Sequence, residues 1–78
     1  MVMGIVIDIN KAKAIAHDMR RAARAQEFAP LDIKATIPSE AAAAEAARQA
    51  VRQKYAAIQA DIDAAPDVAA LKTIVEAL

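Results

Sequence analysis

The side chains best placed to do chemistry are Lys13, His17, Arg20 and Arg24, with Arg21 beside them, in the run "KAIAHDMRRAARAQEF". Their spacing of i, i+4, i+7 and i+11 gathers them on one stripe of a helix. A basic stripe of this kind has three uses. It can track a phosphate backbone, meet an acidic protein surface, or stand in water as the polar side of an amphipathic helix. The solvated face is the expected one, paired locally with Asp18, Glu27 or the acidic C-terminal third. A minor share of the expectation goes to an acidic protein partner. Nucleic acid is disfavoured, because ten Lys/Arg balance ten Asp/Glu and only Phe28 and Tyr55 are aromatic.

No other constellation reaches a catalytic or metal signature. His17 next to Asp18 has the composition of a general base and its orienting acid, but sequence neighbours on a helix point about 100° apart. The single serine, Ser39, reads as a helix cap rather than a nucleophile. With one histidine and no cysteine, a transition-metal site lacks ligands. Asp61, Asp63 and Asp67 lack the loop glycine and closing glutamate of a calcium loop, so they read as helix-end residues. Neither a catalytic residue nor a cofactor is expected.

The elements that must position the basic stripe are helical. Asp8 or Asn10 can cap a first helix, and an unbroken Ala/Lys/Arg-rich run follows to about residue 29. Its helical phasing places Ala12, Ile15, Met19, Ala22, Ala23 and Gln26 on an inward face, with the basic stripe opposite. Pro30 is expected to end or kink this helix. The segment "LDIKATIP" alternates like a strand yet is short enough for one or two helical turns, and a kinked helical continuation is favoured. Ser39 caps a second helix over about 39–63 with Glu40 in its first turn. The apolar stripe of that helix is Ala44, Ala47, Val51, Tyr55, Ile58 and Ile62, at helix-packing spacing. Pro66 and Asp67 suit the first turn of a third helix over about 66–77, buried through Val68, Leu71, Ile74, Val75 and Leu78. Ahead of these, residues 2–9 carry Ile5, Ile7 and Ile9 on one side and read as a short apolar strand or extended docking segment. The fold class is therefore mainly α: a single small domain over 1–78, with 1–9 as its apolar N-terminal segment.

Composition limits the core of that domain. Alanine supplies 23 of the 78 residues and there is no disulfide to staple a thin core. Self-association or docking on a larger protein is the expected substitute. Charge is polarised along the chain, from +2 over residues 1–28 to −3 over residues 61–78. No apolar run is long enough for a membrane span, and Asp8 arrives too early for a secretory signal.

Two stretches carry a family resemblance. They are "VIDINKAKAIAHDMRRAARAQEFAPLD" and "AARQAVRQKYAAIQADIDAAPDVAALKTIV". The pieces are Asp8, Lys11 to His17, Arg21-Ala22-Ala23-Arg24-Ala25, and Ala64-Ala65-Pro66-Asp67 through Leu71-Lys72. With these the chain resembles, over nearly its whole length, small bacteriophage tail-region proteins. It departs from them at "QEFAPLDIKATIPSE", where relatives carry a longer Leu-rich segment. The resemblance implies a role at the tail tip or in tail-fibre assembly and supplies no catalytic residues. The expected function is thus a non-enzymatic tail-associated protein, either a small virion component or a fibre-assembly chaperone. Its expected partner is a larger tail or tail-fibre protein, a second copy, or both. Contacts are assigned to Ile5, Ile7, Ile9, Lys13, His17, Arg20 and Arg24. The protein would be made in the host cytoplasm and could be carried in the virion tail. The alternative is a small phage-encoded regulatory or inhibitory binder that occludes a host or defence protein.

Overall fold

The computed structural model describes residues 8–78, which form three helices and, among the described residues, no strand. Helix α1 spans Ile9–Lys34, α2 spans Ala41–Ala64 and α3 spans Val68–Glu76. At about 1.5 Å per residue, α1 and α2 are rods of about 39 and 36 Å. They lie antiparallel: Lys13 near the start of α1 meets Asp63 at the end of α2, while Asp32 near the end of α1 meets Arg48 early in α2. The short α3 folds back over the open end of this hairpin and closes it. The mainly α reading, with a helical hairpin and a third helix, therefore holds.

Local chemistry sets most of the ends. The Asp8 carboxylate accepts from the Asn10 backbone N–H at 2.9 Å and starts α1. Asp67 does the same for α3, accepting from Ala70 N at 2.8 Å. It lies just outside the helix rather than in its first turn, because its extended backbone aims the carboxylate at the free N–H groups. Ser39 does not cap α2. The N-cap is Glu40, which makes no side-chain cap bond. The backbone bonds Ile37 N to Lys34 O and Glu40 N to Ile37 O carry the turn one residue past Ser39 before the helix begins.

Two further boundaries differ from expectation. Pro30 does not end α1 near residue 29; the helical continuation favoured for "LDIKATIP" extends it to Lys34. The ring removes one N–H, and Lys34 then provides a cation at the carboxyl end, where the helix dipole favours it. Ile9 belongs to the first turn of α1 rather than to an extended segment, and it packs on the core. Ile5 and Ile7 lie outside the described residues.

The core sits at the closed end. Ile62 is fully buried, with Ala16, Ala65 and Leu71 around it and Ile9, Ala12, Ile58, Ile74 and Val75 packed against the group. Ala16 matters by being small: it lets α1 and α2 approach where Ile62 fills the space between them. The stripe expected on α2 is the one that turns inward, since none of Ala44, Ala47, Val51, Tyr55, Ile58 and Ile62 is exposed. Helix α3 likewise buries Leu71 and half-buries Val68, Ile74 and Val75, while Leu78, expected on the same face, lies past the helix and is exposed.

Helix α1 is rotated relative to expectation. Its inward face is Ile9, Ala12, Lys13, Ala16, His17, Arg20, Ala23 and Glu27, while Ile15 and Met19 face out at 61% and 45% exposure. Phasing by the large apolar side chains alone misplaced the buried side of this helix. Paired charges and small residues won the interface instead: Lys13 and His17 to Asp63, Glu27 to Lys54, and Asp32 to Arg48. Their aliphatic stems cover apolar surface while the charged heads find partners.

Candidate functional site

The basic stripe lies along the groove between α1 and α2, and its members have different fates. Lys13 Nζ donates to the Asp63 backbone carbonyl at 2.8 Å. His17 Nε2 lies 2.8 Å from Asp63 Oδ1, and Arg20 Nε donates to His17 Nδ1 at 3.2 Å. That chain of bonds fixes the tautomer. Nδ1 must be the bare acceptor, so Nε2 carries the proton and donates to Asp63. Both ring nitrogens are then engaged and none is left to serve as a base. Asp18 pairs with Arg21 at 2.8 Å and takes no part in the histidine network.

Beyond His17 the groove widens into an open cleft of about 360 Å³. Arg20, Arg21 and Arg24 line it from α1, and Arg52, Tyr55, Ala56 and Gln59 face them from α2. Four of the chain's five arginines are here, and no lysine or carboxylate lines the space. Arg20 is 8% exposed. Among the described residues neither Arg20 nor Arg24 has a carboxylate within ion-pair distance. Arg24 instead lies over the Phe28 ring at 4.7 Å, with Arg52 5.9 Å from the same centroid. Arg21 is neutralised by Asp18, and Arg52 by Glu45 at 3.0 Å with Gln49 at 2.8 Å.

Tyr55 and Glu27 form the neighbouring rung. The Tyr55 hydroxyl hydrogen-bonds Glu27, and this bond, with that from Lys54 at 3.2 Å, holds the Glu27 carboxyl below its usual range. Burial first, then the Glu27 bond and its charge, push the Tyr55 hydroxyl up to about 12. The tyrosine thus stays protonated and its hydroxyl proton is committed to Glu27. In the cleft itself, Gln59 is the remaining neutral hydrogen-bonding side chain.

The sequence placed Lys13, His17, Arg20 and Arg24 on one face, and the structure keeps them together along the groove, burying Arg20, half-burying Lys13 and His17 and leaving Arg24 exposed. Arg52, Tyr55 and Gln59 were missed as their neighbours, whereas Asp63 belongs to the acidic C-terminal third expected to pair with the stripe. One signal pointed to them: Arg48 and Arg52, at i and i+4, form a second basic pair on the helix that must pack against the first. A smaller hollow of about 220 Å³ lies at the turn end, between Leu31 and Lys34 of α1 and Ala43, Ala44 and Ala47 of α2. It brings together no comparable set of charges.

The other exposed feature is the outer side of α1. Ile15, Met19, Ala22, Gln26, Ala29 and Ile33 follow one another at alternating steps of four and three residues, and all six are exposed. This is the spacing with which one helix presents a seam to another. It runs for about 27 Å along the rod. Among the described residues no group of His, Asp and Glu side chains is arranged to hold a metal ion, and no helix is long and apolar enough to cross a membrane. No family model, curated protein or solved structure matches the chain.

Proposed function

We propose that the protein is a non-enzymatic docking module of a phage or prophage tail, as a small virion component or a fibre-assembly chaperone. It would bind a helix of a larger tail protein through the outer seam of α1. The observation that carries this reading is the seam itself. A chain with few large apolar side chains leaves Ile15, Met19 and Ile33 at 61%, 45% and 67% exposure in one line on one helix. Singly exposed apolar residues are ordinary, but an aligned set marks an interaction surface. Ala22 and Ala29 within the seam, and Ala25 beside it, are small enough for a second helix to come close. The tail assignment rests on the family resemblance of the sequence, and the docking mode rests on the seam.

The test uses exposed positions, so that folding and docking separate. Ile15→Glu combined with Met19→Glu should keep the helical circular dichroism and melting behaviour of the wild type. The same double variant should fail to copurify with tail components when phage particles are assembled in its presence and analysed by mass spectrometry. Retention of the variant in particles at wild-type level would refute docking through this seam. Absence of the wild-type protein from both particles and tail-protein complexes would refute the tail assignment.

A further inference from the structure

We infer that the cleft between α1 and α2 is a binding site for a dianionic phosphoryl group, carried by a small phosphate monoester. The site lies on the inner side of α1, away from the outer seam, so the inference stands apart from the docking reading.

The first argument is charge. Four arginines line one space that no carboxylate-bearing residue lines. Arg21 pairs with Asp18, and Arg52 pairs with Glu45, which Arg48 shares; among the described residues Arg20 and Arg24 pair with no carboxylate. Acid is not scarce in this chain, where ten Asp/Glu match ten Lys/Arg. Glu40 and Asp61 form no ion pair among the described residues, although they could have been placed at the cleft. Charge is therefore segregated rather than paired. Two unmatched guanidiniums call for two negative charges, and a phosphate monoester carries about −1.5 to −2 near neutral pH. A carboxylate or a phosphodiester would neutralise only one.

The second argument is burial. Arg20 is more than nine-tenths buried, its Nε is held by His17 Nδ1, and it is one of the residues that line the cleft. A buried cation without an anion is costly, and a hydrogen bond to a neutral imidazole offsets little of that cost. The histidine bond does aim the fork: with Nε engaged, the terminal nitrogens are left for a ligand. Asp63 holds His17 in turn at 2.8 Å, so the orientation of Arg20 is set by a relay that reaches the end of α2.

The third argument is side-chain type. The chain has as many lysines as arginines, yet only arginines line the cleft. Guanidinium forks recognise phosphate oxygens in bidentate pairs, whereas ammonium groups act as point charges. Arg20 and Arg24 are one helical turn apart, close enough to clasp one tetrahedral anion. A space of about 360 Å³ exceeds the phosphoryl group and falls at the small end of ligand sites, which leaves room for an attached sugar-sized body beside Gln59.

The experiment titrates the full chain with inorganic phosphate, ribose 5-phosphate and dimethyl phosphate at fixed ionic strength and pH 7.5. Binding is followed by the Nε–H resonances of the arginines and by melting temperature. Saturable shifts at Arg20 and Arg24 are expected with both dianions, with a rise in melting temperature as ligand occupies the folded state. Dimethyl phosphate, a monoanion, should bind at least tenfold more weakly. Arg24→Gln, at an exposed position, should lower phosphate affinity at least tenfold and leave helicity unchanged. Arg20→Lys should weaken it likewise, because the charge stays but the fork is lost. Lys11→Gln, on the same helix outside the cleft, should change affinity less than twofold. Absence of saturable binding overturns the inference, as does equal weakening by Lys11→Gln and Arg24→Gln. Tighter binding of a single-stranded oligonucleotide than of either monoester also overturns it, replacing a phosphomonoester site by a backbone-binding groove.

Discussion

At the scale of single residues, Tyr55 links the core to the polar ladder. It is 3% exposed, sits on the buried face of α2, and keeps its hydroxyl proton while hydrogen-bonding Glu27. The sign of its effect on stability follows from its raised value of about 12. Below pH 10 the hydroxyl is protonated in both folded and unfolded chains and contributes no pH dependence. Between about 10 and 12 the unfolded chain releases the proton while the folded one keeps it, so stability falls as pH rises. The slope from this one group cannot exceed about 1.4 kcal/mol per pH unit. Chemical denaturation at pH 9 and pH 11 should therefore show a larger loss for the wild type than for Tyr55→Phe. Glu27 works in the other direction: its lowered value means that its contribution is present above the ordinary carboxylate range and is lost as pH falls through the lowered one.

At the scale of elements, α3 depends on its cap more than the long helices do. It has only nine residues, too few to be stable without tertiary contacts, and its first turn is held by the Asp67 carboxylate on Ala70 N. Asp67→Ala is expected to cost about 1 kcal/mol, within the usual range for an N-cap. Amide exchange would locate the effect, with faster exchange through Ala70 to Ile74 and little change at the turn end of the hairpin. Equal acceleration along α1 and α2 would mean that α3 does not open on its own. Helix α1 illustrates a different balance. It carries Pro30 close to its carboxyl end, where the ring removes one N–H and the helix still runs on to Lys34.

At the scale of the molecule, the core is concentrated at one end and the hairpin is held elsewhere by polar rungs. Most of these rungs are partly exposed, and exposed ion pairs are each worth about 0–1 kcal/mol, so they set register and rotation more than stability. Stability rests on the group around Ile62. Ile62→Ala should cost about 2–5 kcal/mol. A domain of this size has a total stability of only about 4–12 kcal/mol, at roughly 0.05–0.15 kcal/mol per residue. The variant should therefore melt far below the wild type or fail to fold at 37 °C, as read by circular dichroism. A loss under 1 kcal/mol would show that the closed end is not where the molecule is held together.

The sequence by itself determined the three helices, a cap at Asp8 or Asn10, and the inward faces of α2 and α3. These follow from local rules: alanine propensity, capping carboxylates, and apolar spacing wherever large apolar residues and burial coincide. It also put Lys13, His17, Arg20 and Arg24 on one face, because that follows from helical pitch alone. Which way that face points was decided only by tertiary structure. On α1 the apolar side chains Ile15 and Met19 and the partners Asp63, Lys54 and Arg48 favour different rotations, and those partners lie on another helix, up to 50 residues away. A periodicity read along one helix has no access to that competition. The arginine cleft was illegible for the same reason. Arg52 and Gln59 join Arg20 and Arg24 only once two helices are antiparallel and in register, and Arg20 is buried only because Ala16 and Ile62 draw those helices together.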